Sequence, residues 1–457
     1  MSHPLSPSWL SAPQDANALH SGVWPQSAQR LASGELEFGG VSAQELVAAY
    51  GSPLYVVDEA ELVRRAEHFR DMVSAACERN DTTGDVYYAS KSLITGHVAQ
   101  WVSGAGLGFD VASGGEMAIA LAAGVPAERL EFQGNNKSED EIRRALEAGV
   151  GSIVIDAPIE AERINRIAGE HGVTAPVMVR VNTGVHADTH EYLATAREDQ
   201  KFGLSVDETE ELIQRIRSMP RLRFEGLHSH IGSQIFQADG FLEAATRLME
   251  LYLRVVPAGE RATLNLGGGF GIAYTEADQP GEITTIIDSI VDHVGSLARA
   301  AGVLVPHIAF EPGRIISGHA GVTLYSVGVT KPVKVHADDG SEATRLYVSV
   351  DGGMSDNARP ALYRATYSAR IASRESGANP ALVRIVGKHC ESGDLVVDAE
   401  YLPGDVAPGD ILAVPATGAY CYSLSSNYNA LGRPPMVSVA EGTHHIMIAG
   451  ETVEDVL

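Results

Sequence analysis

Residues able to do chemistry recur at one kind of place in this chain, at or just after the ends of short apolar runs. Lys91 follows the run 86–90, and Asp110, Ser113 and Glu116 come at the end of the run 108–111. His230 and Ser233 follow 224–228, the triplet Gly267-Gly268-Gly269 follows 263–266, and Glu311, Gly313 and Arg314 follow 307–310. Taken singly, none of these is specific. A lysine after a strand is usually a solvated charge, a glycine triplet is usually a tight turn, and His230 could be a hydrogen-bonded core histidine. Taken together, a lysine, an acid, a histidine and a glycine loop at the same kind of position suit pyridoxal phosphate. That cofactor needs a lysine for covalent attachment, a partner for its ring nitrogen and a cradle for its phosphate. The three cysteines, Cys77, Cys390 and Cys421, have no metal-like spacing and are too few for a disulfide framework, so no metal site is expected.

These positions make sense only if the runs before them are strands of one sheet. Eight strand candidates occur in order, at 86–90, 108–111, 130–133, 152–155, 177–181, 224–228, 263–266 and 307–310. Amphipathic stretches such as 114–123, 138–148, 207–218 and 283–301 lie between them, so the apolar period alternates between about 2 and about 3.6 residues. Eight such units over about 250 residues predict a (β/α)8 TIM-like barrel; an open doubly wound sheet would normally use fewer strands. All eight strand ends then open on one face, and glycines after the seventh strand fall where such barrels bind phosphate.

After about residue 315 the texture becomes Val-, Thr-, Tyr- and Gly-rich, as at 322–334, 345–350, 381–386 and 411–414. This predicts a C-terminal all-β domain. The lone strand-like piece 54–57 precedes the first barrel helix and is a candidate to pair with that domain. The expected division is a loose N-terminal arm over 1–20, a barrel over 58–315, and a β domain built from 21–57 and 316–457.

The 457 residues carry 59 acids against 34 bases, a net charge of −25. A surface this acidic argues against nucleic-acid binding and against docking on anionic membranes. No run approaches the length of a membrane span, and the first 30 residues lack a basic start followed by an apolar core, so a cytoplasmic setting is expected.

Seven separated motifs make the chain familiar. Tyr88-Ala89-Ser90-Lys91, the run from Phe109 to Glu116, His228-Ser229-His230-Ile231-Gly232-Ser233-Gln234-Ile235, and Gly267 to Gly271 occur in that order. Glu311-Pro312-Gly313-Arg314, Cys390-Glu391-Ser392-Gly393-Asp394 and Gly418-Ala419-Tyr420 follow. In these the chain, from about residue 20 onward, resembles the fold-type III decarboxylases, the alanine racemase-like ornithine/diaminopimelate/arginine decarboxylase family, and most of all its diaminopimelate branch.

The resemblance implies roles. Lys91 holds pyridoxal 5'-phosphate, Asp110 lines it, and Glu311 pairs with its ring nitrogen. A carboxylate there sustains a strong electron sink, where the related alanine racemases use an arginine. His230 lies on the ring face. Pro312 also belongs to the cofactor site, and Ser233, Gly267, Gly268, Gly269, Gly313, Arg314 and Tyr420 hold the phosphate. Arg314 and Arg359 are implied for the distal carboxylate of meso-diaminopimelate, Tyr363 and Tyr420 for further substrate contacts, and Glu391 for the distal ammonium. Cys390 matches the proton donor, for which a thiol of ordinary pKa about 8.5 is suited. The resemblance also implies a homodimer in which the segment around Cys390 and Glu391 reaches the partner's site. Ornithine, lysine or arginine decarboxylation is the nearest alternative, but two arginines would repel those cationic tails. A non-catalytic regulatory homologue is the other, although such a protein should lack Lys91 or the glycine loop. Thr183, where relatives often have proline, predicts only a local change, and neither Lys201 nor Cys421 is given a role.

Overall fold

The computed structural model describes residues 3–185, 201–337 and 340–457. The chain divides into two compact units, one of Arg65–Gly271 with Pro280–Ile315, the other of Met1–Arg64, Ile272–Gln279 and Ile316–Leu457.

The first unit is the barrel. Gly84–Ala89, Gly108–Val111, Leu130–Phe132, Ser152–Ile155, Ala175–Arg180, Leu222–His228, Thr263–Asn265 and His307–Phe310 form a closed sheet. Every neighbouring pair is parallel, and the eighth strand returns to the first. Such strands are covered on both faces, by helices outside and by interior side chains within, so they read as short apolar runs. Local signals set the helix starts. Ser113 caps Gly114–Ala122 by accepting from the Glu116 N–H, and Ser138 with Glu141 forms a capping box on Glu139–Ala148. The apolar run predicts a first strand from Val86, but the strand begins at Gly84. A glycine argues against a strand locally, yet a Cβ there would lie 2.7 Å from the Cys77 sulfur, so close packing on helix Glu59–Arg79 requires it.

In the other unit the long strand Gly321–His336 organises the sheet. It pairs antiparallel with Glu342–Val350, with Ile411–Pro415 and with Leu54–Asp58. Leu54–Asp58 is also paired, in parallel, with Met436–Ala440, so the lone N-terminal strand lies between two strands from late in the chain. Trp24, Phe38, Leu46, Leu54, Leu324 and Val437 share one core there. Within the segment expected as a loose arm, Leu10 is buried with Leu382, Ala399 and Tyr401. The expected barrel with a β domain is the fold observed.

Candidate active site

At the barrel mouth a short turn presents Lys91. Tyr88 donates to the Leu93 carbonyl at 2.8 Å, and Ser92 donates to the Ala89 carbonyl at 2.8 Å, which fixes the turn Ser90–Ser92 around an exposed Lys91. The Lys91 charge acts on Asp110, Glu116, Glu311 and His230, so the residues singled out after strands one, two, six and eight do converge. Ser113 and Glu116 also have structural work. Besides the Ser113 cap, the Glu116 carboxylate accepts the Ala112 N–H at 2.7 Å.

The glycine loop has no room for side chains. A Cβ on Gly268 would fall on the Glu311 carbonyl, and one on Gly269, at φ +107°, on the Gly232 carbonyl. The loop is thereby stitched to the turns carrying Ser233 and Gly313, and Arg314 donates to the Ser233 hydroxyl at 2.9 Å. Glycine backbone bare of side chains, a hydroxyl and a guanidinium together make an anion site. His230 accepts from the Gly268 N–H at 3.3 Å. Burial, and then the nearby Lys91, hold its imidazole well below the usual histidine range. It is therefore a neutral ring.

Deeper in the barrel lies a network that sequence reading missed. Glu311 is buried, and its Oε1 accepts from Gln133, from Asn265 at 2.8 Å and from His228 at 2.9 Å. All three of these donors meet Oε1, none of them Oε2. Burial pushes the Glu311 carboxyl up, but the hydrogen bond with His228 and the charge of Lys91 outweigh this and hold it below the usual carboxylate range. Asp110 is the opposite case, raised by burial and then by Glu311. Arg180 at the end of the fifth strand adds positive charge and stacks 4.4 Å from the Phe202 ring. In the sequence, Glu131 and Gln133 alternate with Leu130 and Phe132, a pattern that a half-exposed strand shares. Only membership of a barrel, with both strand faces covered, turns the polar pair inward.

The remaining expected residues belong to the other unit. Arg359 is buried, donates to the Tyr367 hydroxyl at 2.5 Å, and has its guanidinium 4.6 Å from the Tyr274 ring. Among the described residues no carboxylate lies within ion-pair distance of it. Cys421 is buried beside the same group, 3.6 Å from the Tyr367 hydroxyl. Cys390, Glu391 and Tyr363 are exposed, and Tyr420 is half-buried with φ +63°. Cys77 is the inert cysteine, its thiol pushed up to about 12 by burial and then by Asp85.

Comparison with known proteins agrees with this chemistry. A family profile described as the pyridoxal binding domain of pyridoxal-dependent decarboxylases matches residues 59–318. The diaminopimelate decarboxylase of Mycobacterium tuberculosis is 45% identical over 443 residues, 95% of this chain and 97% of its own. That of Bacillus subtilis is 43% identical over 93% of this chain and 94% of its own. Among solved structures, diaminopimelate decarboxylase from M. jannaschii in complex with L-lysine superposes with a TM-score of 0.85 at 30% identity, covering 94% of this chain and 97% of its own. The chain belongs to the pyridoxal-dependent decarboxylases and, within them, to the diaminopimelate decarboxylase family. Its cofactor is pyridoxal 5'-phosphate, as the sequence reading expected. The residues present fit that group: an accessible lysine, an anion cradle too tight for any Cβ, and a buried carboxylate with one oxygen held and one unclaimed.

Proposed function

We propose that the enzyme decarboxylates meso-2,6-diaminopimelate to L-lysine and carbon dioxide, the final step of lysine biosynthesis. The observation that carries the choice of substrate is Arg359. A buried guanidinium without an acidic partner is costly, and a carboxylate arriving with the substrate relieves it. Ornithine, lysine and arginine have no carboxylate at the far end. Diaminopimelate has one, beside an ammonium.

When bound, the cofactor supplies an electron sink for the pair released as carbon dioxide leaves. The chain's own residues do the rest. Lys91 holds the cofactor covalently, and Glu311 offers its unclaimed Oε2 to the ring nitrogen. His230, neutral, lies on the ring face without competing for protons. Asp110 and Pro312 line the group, and Ser233, Gly267, Gly268, Gly269, Gly313, Arg314 and Tyr420 hold its phosphate. At the distal head Arg314 and Arg359 take the carboxylate, Glu391 the ammonium, and Tyr363 and Tyr420 add hydroxyls. Cys390 donates the proton that replaces carbon dioxide. One arrangement of the distal head satisfies both signs of charge, which selects an L-centre there and leaves the D-centre to react. The family resemblance and the exposure of Cys390 and Glu391 support a homodimer in which these two residues serve the partner's site. Free cysteines are in keeping with a reducing cytoplasm, and no described helix is long and apolar enough to cross a membrane.

The test is carbon dioxide release from meso-, LL- and DD-diaminopimelate, ornithine, arginine and lysine. The meso isomer should dominate. Losing a charge-assisted contact costs about 1.5–3 kcal/mol, so Arg359→Met should lower kcat/KM for it by roughly ten- to a few hundred-fold. Any side activity on L-lysine should fall much less. An equal loss on both would make Arg359 structural and remove the chief support for diaminopimelate.

A further inference from the structure

Glu131, on the third barrel strand, is wholly buried and faces Glu311 across the barrel interior. Carboxyl oxygens of the two lie within 4.8 Å of each other, close enough for a charge on one to oppose ionisation of the other. The amides of Asn265 and Gln133 bridge them. Asn265 donates to Glu131 at 3.0 Å and to Glu311 at 2.8 Å, and Gln133 donates to Glu131 at 3.0 Å and also to Glu311. Two charges cannot both persist in so enclosed a space.

Their surroundings are unequal. Glu311 has the His228 ring at 2.9 Å and feels the charge of Lys91. Glu131 has only the two neutral amides as donors, and among the described residues no cation lies within ion-pair distance of it. The other titratable groups around it are Asp110 on the second strand and Tyr87 on the first, neither of which favours a second negative charge, and His228, a ring nitrogen of which lies within 4.8 Å but beyond ion-pair distance and whose imidazole burial holds below the usual histidine range.

We propose that Glu131 is a positioning residue that keeps the pair's proton, so that the single negative charge stays on Glu311 for the cofactor's ring nitrogen. Burial first, and then Glu311, hold the Glu131 carboxyl well above the usual range, in agreement with this geometry. Were the proton on Glu311 instead, the ring nitrogen would face a neutral acid and the electron sink would weaken.

The proposal rests on the ring-nitrogen role of Glu311, so the first measurement does not use the cofactor. Infrared spectra of cofactor-free protein labelled with 13C at the glutamate side-chain carboxyl should show a protonated-acid band at pH 7. The label separates it from any Asp110 band, and it should vanish in Glu131→Gln while persisting in Asp110→Asn. Should Glu131→Gln not fold, Glu131→Ala serves the same assignment. In the loaded enzyme Glu131→Gln, which stays neutral and can still donate, should leave the pH profile of the cofactor's visible absorbance in place. A missing band, or a band that survives in the Glu131 variants, overturns the proton assignment. A present band with a visible profile displaced by a pH unit or more in Glu131→Gln overturns the positioning role. A visible pH profile that is the same in Glu311→Gln as in the unaltered enzyme would instead count against the ring-nitrogen reading.

Discussion

Glu311 gives its two carboxylate oxygens different work, one anchored by Gln133, Asn265 and His228 and the other left to a ligand. Lys91 has the complementary arrangement, a tightly bonded turn beneath a side chain that is itself exposed. Covalent attachment should therefore depend on Lys91 alone. Borohydride reduction of the holoenzyme followed by peptide mapping should place the label there, and Lys91→Ala should lose both label and turnover. Label on Lys137 or Lys201 would refute the assignment. Lys91 and Glu311 were legible because each stands at a strand end inside a recognisable motif. Glu131, Gln133, Tyr274 and Tyr367 were not. Whether an acid on a strand is sealed inside a barrel, or an arginine sits against two tyrosine rings, is decided by residues far away in sequence.

Among the elements, barrel strands and helices were readable from periodicity to within a residue or two, and helix Ile283–Ala301 coincides with its expected span. Boundaries moved where packing overrode propensity, as at Gly84. The strands Leu395–Pro403 and Thr443–Ile448 went unread, although Ser392-Gly393-Asp394 and Pro403-Gly404-Asp405 bound the first and Glu441-Gly442 precedes the second. The glycine loop invites a test at this scale. Gly268→Ala would force its methyl against the Glu311 carbonyl, moving both the phosphate loop and the ring-nitrogen partner. Cofactor affinity should fall at least about tenfold, equivalent to ~1.4 kcal/mol. Gly115→Ala is the control, because the nearest atom to its added Cβ is the Ser113 hydroxyl oxygen at 3.7 Å and the site lies in a helix. There alanine should leave affinity unchanged and raise stability by about 0.4–1 kcal/mol. Fluorescence titration with the cofactor and thermal melts distinguish the two; equal affinities would show that the loop yields without harm.

For the whole molecule, the proposed sharing of sites between two copies predicts complementation. Cys390→Ala and Lys91→Ala should each be inactive alone, yet mixed and reassembled dimers should regain up to about a quarter of wild-type activity, because random pairing makes half the dimers mixed and each mixed dimer carries one intact site. No recovery from demonstrably mixed dimers would place Cys390 in its own subunit's site. The placement of Leu54–Asp58 between Gly321–His336 and Met436–Ala440 has a different consequence, one of timing. A ribosome completes this strand roughly 260 residues before its first partner exists, an interval of some 15–50 seconds at ~5–20 residues per second. The barrel strands, by contrast, emerge in the order in which they pair. During translation an apolar strand with both edges bare must wait while the whole barrel is made, and a chain released early, before residue 321, would carry that strand permanently exposed as a target for chaperones or for self-association.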